Sequence, residues 1–224
     1  MNVNNIQFGL LSDEDIKRYS VCEICHPDLY EKNNPKVGGL ADLRLGTIDR
    51  HYKCKTCNGD IIKCPGHFGH IELNEPVFHI NYIKTVVKIL NITCASCSKL
   101  LCVESIKKKA NKHSLKYYYD LCKNVKNCVH CNFKQPKFTY EKDHKLYCTL
   151  DEEKTAINAS DVYNIFRKIE NPEIFGMSSE FSHPKNLIIK SLLIPPLHVR
   201  PSVMMETVVK SQDDLTHKLI EIVK

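Results

Sequence analysis

The chain lacks long apolar runs and a secretion signal. None of its hydrophobic stretches approaches the roughly 20 residues that a membrane-spanning helix needs. Its opening, MNVNNIQFG, has neither the charged start nor the apolar middle of a signal peptide. These absences exclude a membrane-spanning protein and predict an intracellular one.

Arginine is scarce, whereas lysine is abundant and unevenly distributed. The chain has 5 arginines and 27 lysines, and the stretch 99–147 holds 12 lysines against 4 acidic residues. Such a patch attracts polyanions, but lysine contributes charge without base recognition. The stretch predicts nonspecific proximity to nucleic acid, with a merely solvated face as the alternative. Its densest part contains Lys107, Lys108, Lys109 and Lys112.

Twelve cysteines indicate either disulfide bonds or metal sites. A secreted disulfide protein would explain the number, but several cysteines are spaced as C-x-x-C pairs and no secretion signal precedes them. Paired spacing in a reducing compartment favours metal binding. Thiol titration with and without a chelator would distinguish the two classes.

The run CKTCNGDIIKCPGHFGH predicts a zinc site. Cys54 and Cys57 form one pair and Cys64 and His67 another, and the two intervening residues let both side chains of a pair converge on one ion. Four ligands complete a tetrahedral shell, so no coordination position stays open for catalysis. We call these four residues the CCCH cluster and expect a structural zinc ion there.

A second structural zinc site is predicted by Cys94 and Cys97 in ITCASCSKLL together with Cys128 and Cys131 in KNCVHCNFK. The segment between the pairs is longer than in common zinc fingers, but it contains a predicted helix. A metal that closes a long loop also restricts the unfolded chain considerably. We call these residues the four-cysteine cluster.

The remaining cysteines are less informative. Cys22, Cys25 and His26 match the C-x-x-C-H motif of c-type haem, but no axial partner can be argued, so we reject haem. The pair is interpreted as packed thiols, with an extra metal or redox contact as the alternative. Three further cysteines have no partner by spacing and are predicted to be small buried side chains: Cys102, Cys122 and Cys148.

Periodicity and cap signals predict an α+β fold that is loop-rich and zinc-stapled, with short helices and small antiparallel strands. Helices are expected after the caps Ser12 and Ser160, from Asp213 onward, between Pro76 and Cys94, and over Leu115 to Asn124. Strands are expected near Phe8 and Leu10, in a hairpin from Phe138 to Leu150, and from Leu187 to Ile194. We divide the chain into 1–92 with the CCCH cluster, the basic stretch 93–150 with the four-cysteine cluster, and 151–224 with a proline-rich extended segment and a final helix.

Long motifs occur around these sites: FGLLSDEDIKRYSV (8–21), KVGGLADLRLGTIDR (36–50), CPGHFGHIELNEPVFH (64–79), LIPPLHVRPS (193–202) and DDLTHKLIEIVK (213–224). In content and order they resemble the N-terminal region of the largest subunit of multisubunit DNA-directed RNA polymerase, of the eukaryotic or viral, RNA polymerase II-like type. The resemblance covers nearly the whole chain. It departs at the four-cysteine cluster, whose last two cysteines usually stand much farther away in the family.

The resemblance implies the clamp of a nucleotidyltransferase, which closes over template DNA and RNA during transcription. The implied partners are the second-largest subunit, the remainder of the largest subunit and smaller subunits. The family's catalytic aspartates, with their Mg²⁺, lie far downstream, and nothing in this chain matches them, so we expect no catalytic residue here. The cofactors expected in this chain are the two structural zinc ions. The implied location is the nucleus of a eukaryotic cell, or a virion or the host cytoplasm or nucleus for a virus.

One alternative is a free-standing zinc-binding adaptor or nucleic-acid module derived from the same N-terminus. Chain length permits it, and only partners or downstream sequence would discriminate. The apolar stripe of the last predicted helix has no stop signal at Lys224, so we expect a truncated chain.

Overall fold

The computed structural model describes residues 3–6, 8–102, 115–141, 145–204 and 210–224. Its α-helices are α1 Asp13–Tyr19, α2 Ile83–Ile92, α3 Leu115–Cys122, α4 Ala159–Phe166 and α5 Asp214–Val223. Its strands are β1 Ser20–Glu23, β2 Tyr30–Glu31, β3 Asn34–Pro35, β4 Phe68–Phe78, β5 Lys137–Tyr140, β6 Leu146–Leu150, β7 Glu153–Ala156, β8 Ile188–Ile194, β9 Val203–Met204 and β10 Lys210–Ser211. Within this part of the chain, no helix has the length and apolar content of a membrane span.

The mixed α+β class with short helices and small sheets agrees with the prediction. One pairing differs from the expected antiparallel geometry, because β1 runs parallel to β4 in the sheet ordered β1-β4-β8. The register between these two strands is irregular between Ser20 and Glu23. The sheet β5-β6-β7 is antiparallel throughout.

The chain forms two compact units, each assembled from two separate segments. The CCCH unit comprises Ser12–Asn74 and Lys190–Lys224, and the four-cysteine unit comprises Met1–Leu11 and Glu75–Ile189. The chain passes between them three times: after Leu11, within β4 and within β8. The threefold division along the sequence follows motifs rather than compactness, and it stays a prediction.

The core of the CCCH unit is small and aliphatic. Its buried members are Cys22, Ile24, Leu40, Leu45, Ile71, Ile194, Leu197 and Leu219. Helix α1 begins as predicted, because the Ser12 hydroxyl accepts from the Asp15 amide and the Asp15 carboxylate accepts from the Ser12 amide. This reciprocal arrangement is a capping box, which pairs amides that a helix start would otherwise leave unpaired.

The four-cysteine unit has a larger core built around α2 and α4. Helix α2 buries Val86, Ile89 and Leu90 on one face, and α4 buries Val162 and Phe166. Both helices confirm elements that were predicted, and β5 with β6 confirms the predicted hairpin.

Two local predictions about this unit were wrong. Helix α4 begins two residues earlier than expected, with Asn158 rather than Ser160 at the cap. Residues 8–11 form no strand, although the Leu10 amide donates to the Phe181 carbonyl at 2.7 Å.

Candidate metal centres

The four residues of the CCCH cluster come together within the CCCH unit. One ligand atom of each of Cys54, Cys57, Cys64 and His67 lies within 4.8 Å of all the others. Cys54 and Cys64 are buried, whereas Cys57 is exposed. The predicted residues therefore meet at one point.

The motif KVGGLADLRLG positions this cluster through its main chain. Its 3₁₀ turn Leu43–Leu45 offers three successive carbonyls, which accept from the Lys55 amide at 3.0 Å, the Thr56 hydroxyl at 2.7 Å and the His67 amide at 3.0 Å. One short turn thus fixes both halves of the cluster, which explains why this motif precedes the cysteines.

Asp42 holds that turn in place. Its carboxylate is 2% exposed and accepts from the Gly38 amide at 2.6 Å, from the Arg44 amide at 2.9 Å and from the Arg44 guanidinium at 2.6 Å. Burial alone would raise the pKa of Asp42, but the hydrogen bonds from Arg44 and Gly38 outweigh burial and lower the pKa. The ionised carboxylate is therefore part of the folded turn.

The second cluster lies within the four-cysteine unit. The sulfur atoms of Cys94 and Cys131 are 3.5 Å apart, and those of Cys97 and Cys128 are 3.7 Å apart. Four sulfur ligands about 2.3 Å from an ion in tetrahedral geometry lie about 3.8 Å from one another. The observed separations fit that shell.

These separations do not fit disulfide bonds, in which the sulfur atoms lie about 2.05 Å apart. All twelve cysteines are free thiols in the structure. The structure therefore agrees with the metal interpretation of the paired cysteines rather than with the disulfide alternative.

Three of the C-x-x-C turns share one backbone pattern. In each, the first cysteine's amide donates to the carbonyl five residues later, and its carbonyl accepts from the amide four residues later; the first cysteines are Cys54, Cys94 and Cys128. The amide two residues after each first cysteine also points at its sulfur, at 3.4 Å in all three turns. Amides aimed at sulfur stabilise the thiolate form that binds metal.

Each of these turns places a left-handed residue directly after its second cysteine. The φ angles are 58° at Asn58, 57° at Ser98 and 55° at Asn132. Asparagine tolerates this conformation better than most residues with a side chain. The turn at Cys64 is different, since there Gly66 has a φ of 83° and stands before the ligand His67.

The electrostatics of the four-cysteine cluster favour a bound cation. Burial raises the pKa of Cys94, but amide hydrogen bonds from Cys97 and Ser96 outweigh burial and lower the pKa to about 7. Burial and the neighbouring thiols raise the pKa of Cys97 to about 12. A divalent cation offsets this repulsion and lets all four thiols ionise.

His67 fits a metal ligand by a different criterion. Its Nε2 atom is shielded from solvent and has no hydrogen-bond partner among the described residues. A buried imidazole nitrogen is normally paired, and coordination to an ion beside three thiols would pair this one. The donor sets of both clusters, three sulfurs with one nitrogen and four sulfurs, are those of structural zinc sites.

The remaining predicted residues do not join these sites. Cys22 belongs to the CCCH-unit core, where burial raises its pKa to about 11, whereas Cys25 and His26 are exposed. Among the described residues, the C-x-x-C-H motif is not part of a metal-ligand group. The nucleic-acid candidates lie outside the described residues: Lys107, Lys108, Lys109 and Lys112.

Sequence reasoning missed two side chains next to the clusters. Gln135 donates from Nε2 to the sulfur of Cys94 at 3.3 Å, and its Oε1 accepts from the Ala95 amide at 3.1 Å. His198 lies beside Cys64, where a Cβ atom at Gly46 would be 3.3 Å from the His198 Nδ1 and 3.5 Å from the Cys64 sulfur. Neither residue has a spacing signal, because each is distant in sequence from the cysteine that it approaches.

Comparisons with known proteins agree with this arrangement. The model of the family described as RNA polymerase Rpb1, domain 1, matches residues 1–224. The chain is 38% identical over 238 aligned residues to the DNA-directed RNA polymerase subunit Rpo1N of Methanocaldococcus jannaschii. That match covers 99% of this chain but 18% of the relative, so the chain spans less than a fifth of that subunit's length. With a family model that spans its whole length and a relative of this identity, the chain belongs to the RNA polymerase Rpb1, domain 1, family.

Proposed function

We propose that this chain serves as a zinc-stabilised clamp segment of a DNA-directed RNA polymerase and helps to enclose template DNA and RNA during transcription. The observation that supports this proposal best is the construction of the two units. Each contains a four-ligand cluster fitted to a structural metal ion, within a chain of the polymerase family. Neither cluster keeps an open coordination position for chemistry.

Zinc is the metal that we propose for both clusters. A bound zinc ion would supply the positive charge that holds the four ligands of each cluster at one point, and in comparable sites this binding contributes about 10 to 16 kcal/mol that is also folding free energy. The protein's own residues position the ligands: main-chain amides point at the sulfurs, and the Leu43–Leu45 carbonyls fix the CCCH cluster. The clusters therefore act on the fold and leave nucleotide transfer to other parts of the enzyme.

Metal content tests this assignment directly. The full chain, produced with zinc present, should contain two zinc ions by plasma mass spectrometry. Cys64→Ser and Cys128→Ser should each reduce the content to one, because three ligands hold zinc far less tightly than four. Cys25→Ser, at an exposed cysteine outside both clusters, is the matched control and should retain two. Full zinc content in either cluster variant would refute its ligand assignment.

The polymerase role implies partners. We propose that the chain assembles with the second-largest subunit, the polypeptide that contains the rest of the largest subunit, and smaller subunits. Catalytic aspartates and their Mg²⁺ would then come from that remaining part of the complete enzyme. A tagged chain isolated from its native host at mild salt should recover these subunits in equal amounts by mass spectrometry. Recovery alone or with unrelated proteins would instead support the free-standing adaptor.

The basic stretch bears on nucleic-acid contact. We propose that Lys107, Lys108, Lys109 and Lys112 approach the nucleic acid through their charge, without base specificity. Replacing all four with glutamine should weaken binding of the assembled enzyme to DNA equally for different sequences and flatten its salt dependence. Replacing Lys84 and Lys88 on α2 with glutamine is the control, because it also removes lysine charges but outside the basic stretch. An unchanged salt slope would support the solvated-face alternative.

The class of polymerase and its location are finer proposals. We propose the eukaryotic or viral type on the basis of the motifs and an intracellular site of action, in the nucleus, a virion or a host cell. The relative reported above is archaeal, so the type is best decided by the copurified subunits. Fluorescence of the tagged chain in its host would test the location.

A further inference from the structure

His198 lies close to the CCCH cluster. It lies in the 3₁₀ turn Leu197–Val199, which follows the prolines of the LIPPLHVRPS motif. A Cβ atom at Gly66 would be 3.1 Å from its Nδ1, and one at Gly46 would be 3.3 Å from the same atom. Both glycines have positive φ angles, 83° and 123°, so the chain places no side chain in either of these two spaces next to the ring.

One ligand of the cluster, Cys64, lies close to this imidazole. The point that a Gly46 Cβ would occupy is 3.5 Å from the Cys64 sulfur as well as 3.3 Å from the His198 Nδ1. The ring nitrogen and the sulfur therefore both border the space that a side chain at Gly46 would fill. Gly66 lies between Cys64 and His67 in sequence, so the ring faces the turn that provides half of the cluster.

Both ring nitrogens of His198 are shielded from solvent, and neither has a hydrogen-bond partner among the described residues. A buried imidazole without partners is unfavourable, and buried polar groups in native proteins are almost always paired. A neutral imidazole offers one N–H donor, so an acceptor close to Nδ1 would remove part of this cost.

The four-cysteine cluster contains an example of a side-chain donor to a ligand sulfur. There the Gln135 side chain donates to the sulfur of Cys94 at 3.3 Å, in addition to the main-chain amides. Cys64 accepts from the Gly66 amide at 3.4 Å, and its side-chain hydrogen-bond partners are the thiols of Cys57 and Cys54. Neither thiol offers the kind of N–H donor that Gln135 provides to Cys94, whereas the nearby imidazole of His198 has one.

We propose that His198 is a positioning residue of the CCCH metal centre, whose Nδ1–H donates to the Cys64 thiolate once the metal is bound. It does not coordinate the ion. A hydrogen bond to the sulfur holds the ligand in its orientation toward the ion and should slow the loss of the metal. The inference rests on the proposed function, in that the CCCH cluster must hold a metal.

The test compares four forms of the full chain: wild type, His198→Phe, His198→Asn and His217→Phe. Phenylalanine keeps the ring volume without an N–H, asparagine restores an N–H near the position of Nδ1, and His217 is an exposed histidine of the same unit. Each form is loaded with Zn²⁺ or Co²⁺ and mixed with excess chelator. Pulsed alkylation with mass spectrometry then follows release at each cluster through the peptides that contain its cysteines.

We expect His198→Phe to release Zn²⁺ from the CCCH cluster about tenfold faster than the wild type, because loss of such partners typically weakens metal sites by about 10- to 100-fold. Release from the four-cysteine cluster should not change. The sulfur-to-cobalt charge-transfer band of the CCCH cluster should move to lower energy, since an unpaired thiolate gives up electron density more easily. His198→Asn should recover most of both effects, and His217→Phe should match the wild type.

Equal release rates for wild type and His198→Phe, or an unmoved cobalt band, would overturn the proposal. Faster release from both clusters together would also overturn it, because that result indicates general loosening. If His198→Phe does not fold, the comparison of His198→Asn with wild type decides. Asparagine keeps an N–H donor, so a clear shift of the cobalt band to lower energy in His198→Asn would refute the N–H role. A wild-type CCCH cluster that takes up neither ion would refute the proposed zinc function itself, an outcome distinguishable from failure of His198 alone.

Discussion

The guanidinium of Arg200 donates a hydrogen bond from Nη2 to the carbonyl of Leu40 at 2.7 Å, across 160 residues of sequence. The same side chain donates from Nε to the Pro195 carbonyl at 3.1 Å and is 2% exposed. Burial lowers the pKa of Arg200 to about 10, although Asp213 acts in the opposite direction. Arg200 thus joins the LIPPLHVRPS motif to the GGLAD turn that supports the CCCH cluster.

Replacing Arg200 with alanine should destabilise the CCCH unit. The change leaves the Leu40 and Pro195 carbonyls unpaired in the interior and creates a cavity, and we expect a loss of about 3 kcal/mol in the free energy of unfolding. Urea denaturation of the zinc-saturated chain measures it. Arg50→Ala, at an exposed arginine of the same unit, should change stability by less than about 0.5 kcal/mol. A similarly small effect at Arg200 would show that its hydrogen bonds do not contribute.

Several elements were predictable because their signals are local. The Ser12 cap with its acidic first turn, the stripe of α2 and the C-x-x-C spacings each lie within a few residues of the structure that they predict. Such signals act through short-range hydrogen bonds and side-chain spacing, so a single sequence contains them completely.

Other features depend on distant residues or on unusual turns. The parallel pairing of β1 with β4 and the roles of Arg200 and His198 depend on contacts that no local pattern encodes. Strand β7 was not foreseen, because the turn before it uses Asp151 and Glu152 at φ angles of 48° and 72° without the glycine that normally marks such a hairpin. The paired acids there are turn residues, whereas Asp213 is the cap of α5.

Asn91 connects α2 to the edge of the β5-β6-β7 sheet. Its Nδ2 donates to the Phe138 carbonyl at 2.9 Å, and its Oδ1 accepts from the Phe138 amide at 3.1 Å. Asn91→Leu would leave both main-chain groups unpaired, so we expect a loss of roughly 2 kcal/mol in the stability of the four-cysteine unit. Chemical denaturation followed by the alkylation of Cys122 would measure it.

Asn91→Asp provides the control for that prediction. Aspartate keeps an acceptor for the Phe138 amide but places a second oxygen against the Phe138 carbonyl, so it should be about as destabilising as leucine or worse at neutral pH. Full stability in Asn91→Asp would show that the carbonyl of Phe138 does not need the amide donor.

His183 makes the four-cysteine unit sensitive to mild acid. Its Nδ1 accepts from the Lys185 amide at 3.1 Å, and its Nε2 lies 3.0 Å from the Ile169 carbonyl. An amide can only donate and a carbonyl can only accept, so the ring is neutral with its proton on Nε2. Burial lowers the pKa of His183, partly opposed by the Ile169 carbonyl, and protonation of Nδ1 would break the bond to Lys185.

The sign of the pH effect follows from this shift. On acidification the unfolded chain binds the His183 proton first, so the folded state loses stability as the pH falls below the ordinary histidine pKa of about 6.5. His183→Asn keeps an acceptor for the Lys185 amide but does not titrate. We expect its stability to fall less than that of the wild type between about pH 7.5 and 5, with metal held saturating. The exposed His217→Asn should follow the wild type, and parallel curves for His183→Asn would refute the prediction.

Ser98 occupies the left-handed position of the Cys94 turn, where the two equivalent turns have asparagine. Its φ is 57°, its side chain is 5% exposed, and its Oγ has no partner among the described residues. Ser98→Gly would remove both the backbone strain and the buried hydroxyl. These gains, of about 1 to 2 kcal/mol for the strain alone, should exceed the entropic cost of glycine.

We therefore expect Ser98→Gly to raise the free energy of unfolding by about 1 kcal/mol and to slow zinc loss from the four-cysteine cluster. Ser96→Gly is the matched control, because Ser96 lies in the same turn, is exposed and has no positive φ. There glycine only adds freedom to the unfolded chain and should destabilise by about 0.5 to 1 kcal/mol. Thermal unfolding of both variants at saturating zinc gives the comparison. If both variants lose stability, the left-handed conformation at Ser98 adds little to the free energy of the folded state. The bound metal would then be what keeps the turn in this conformation despite the serine side chain.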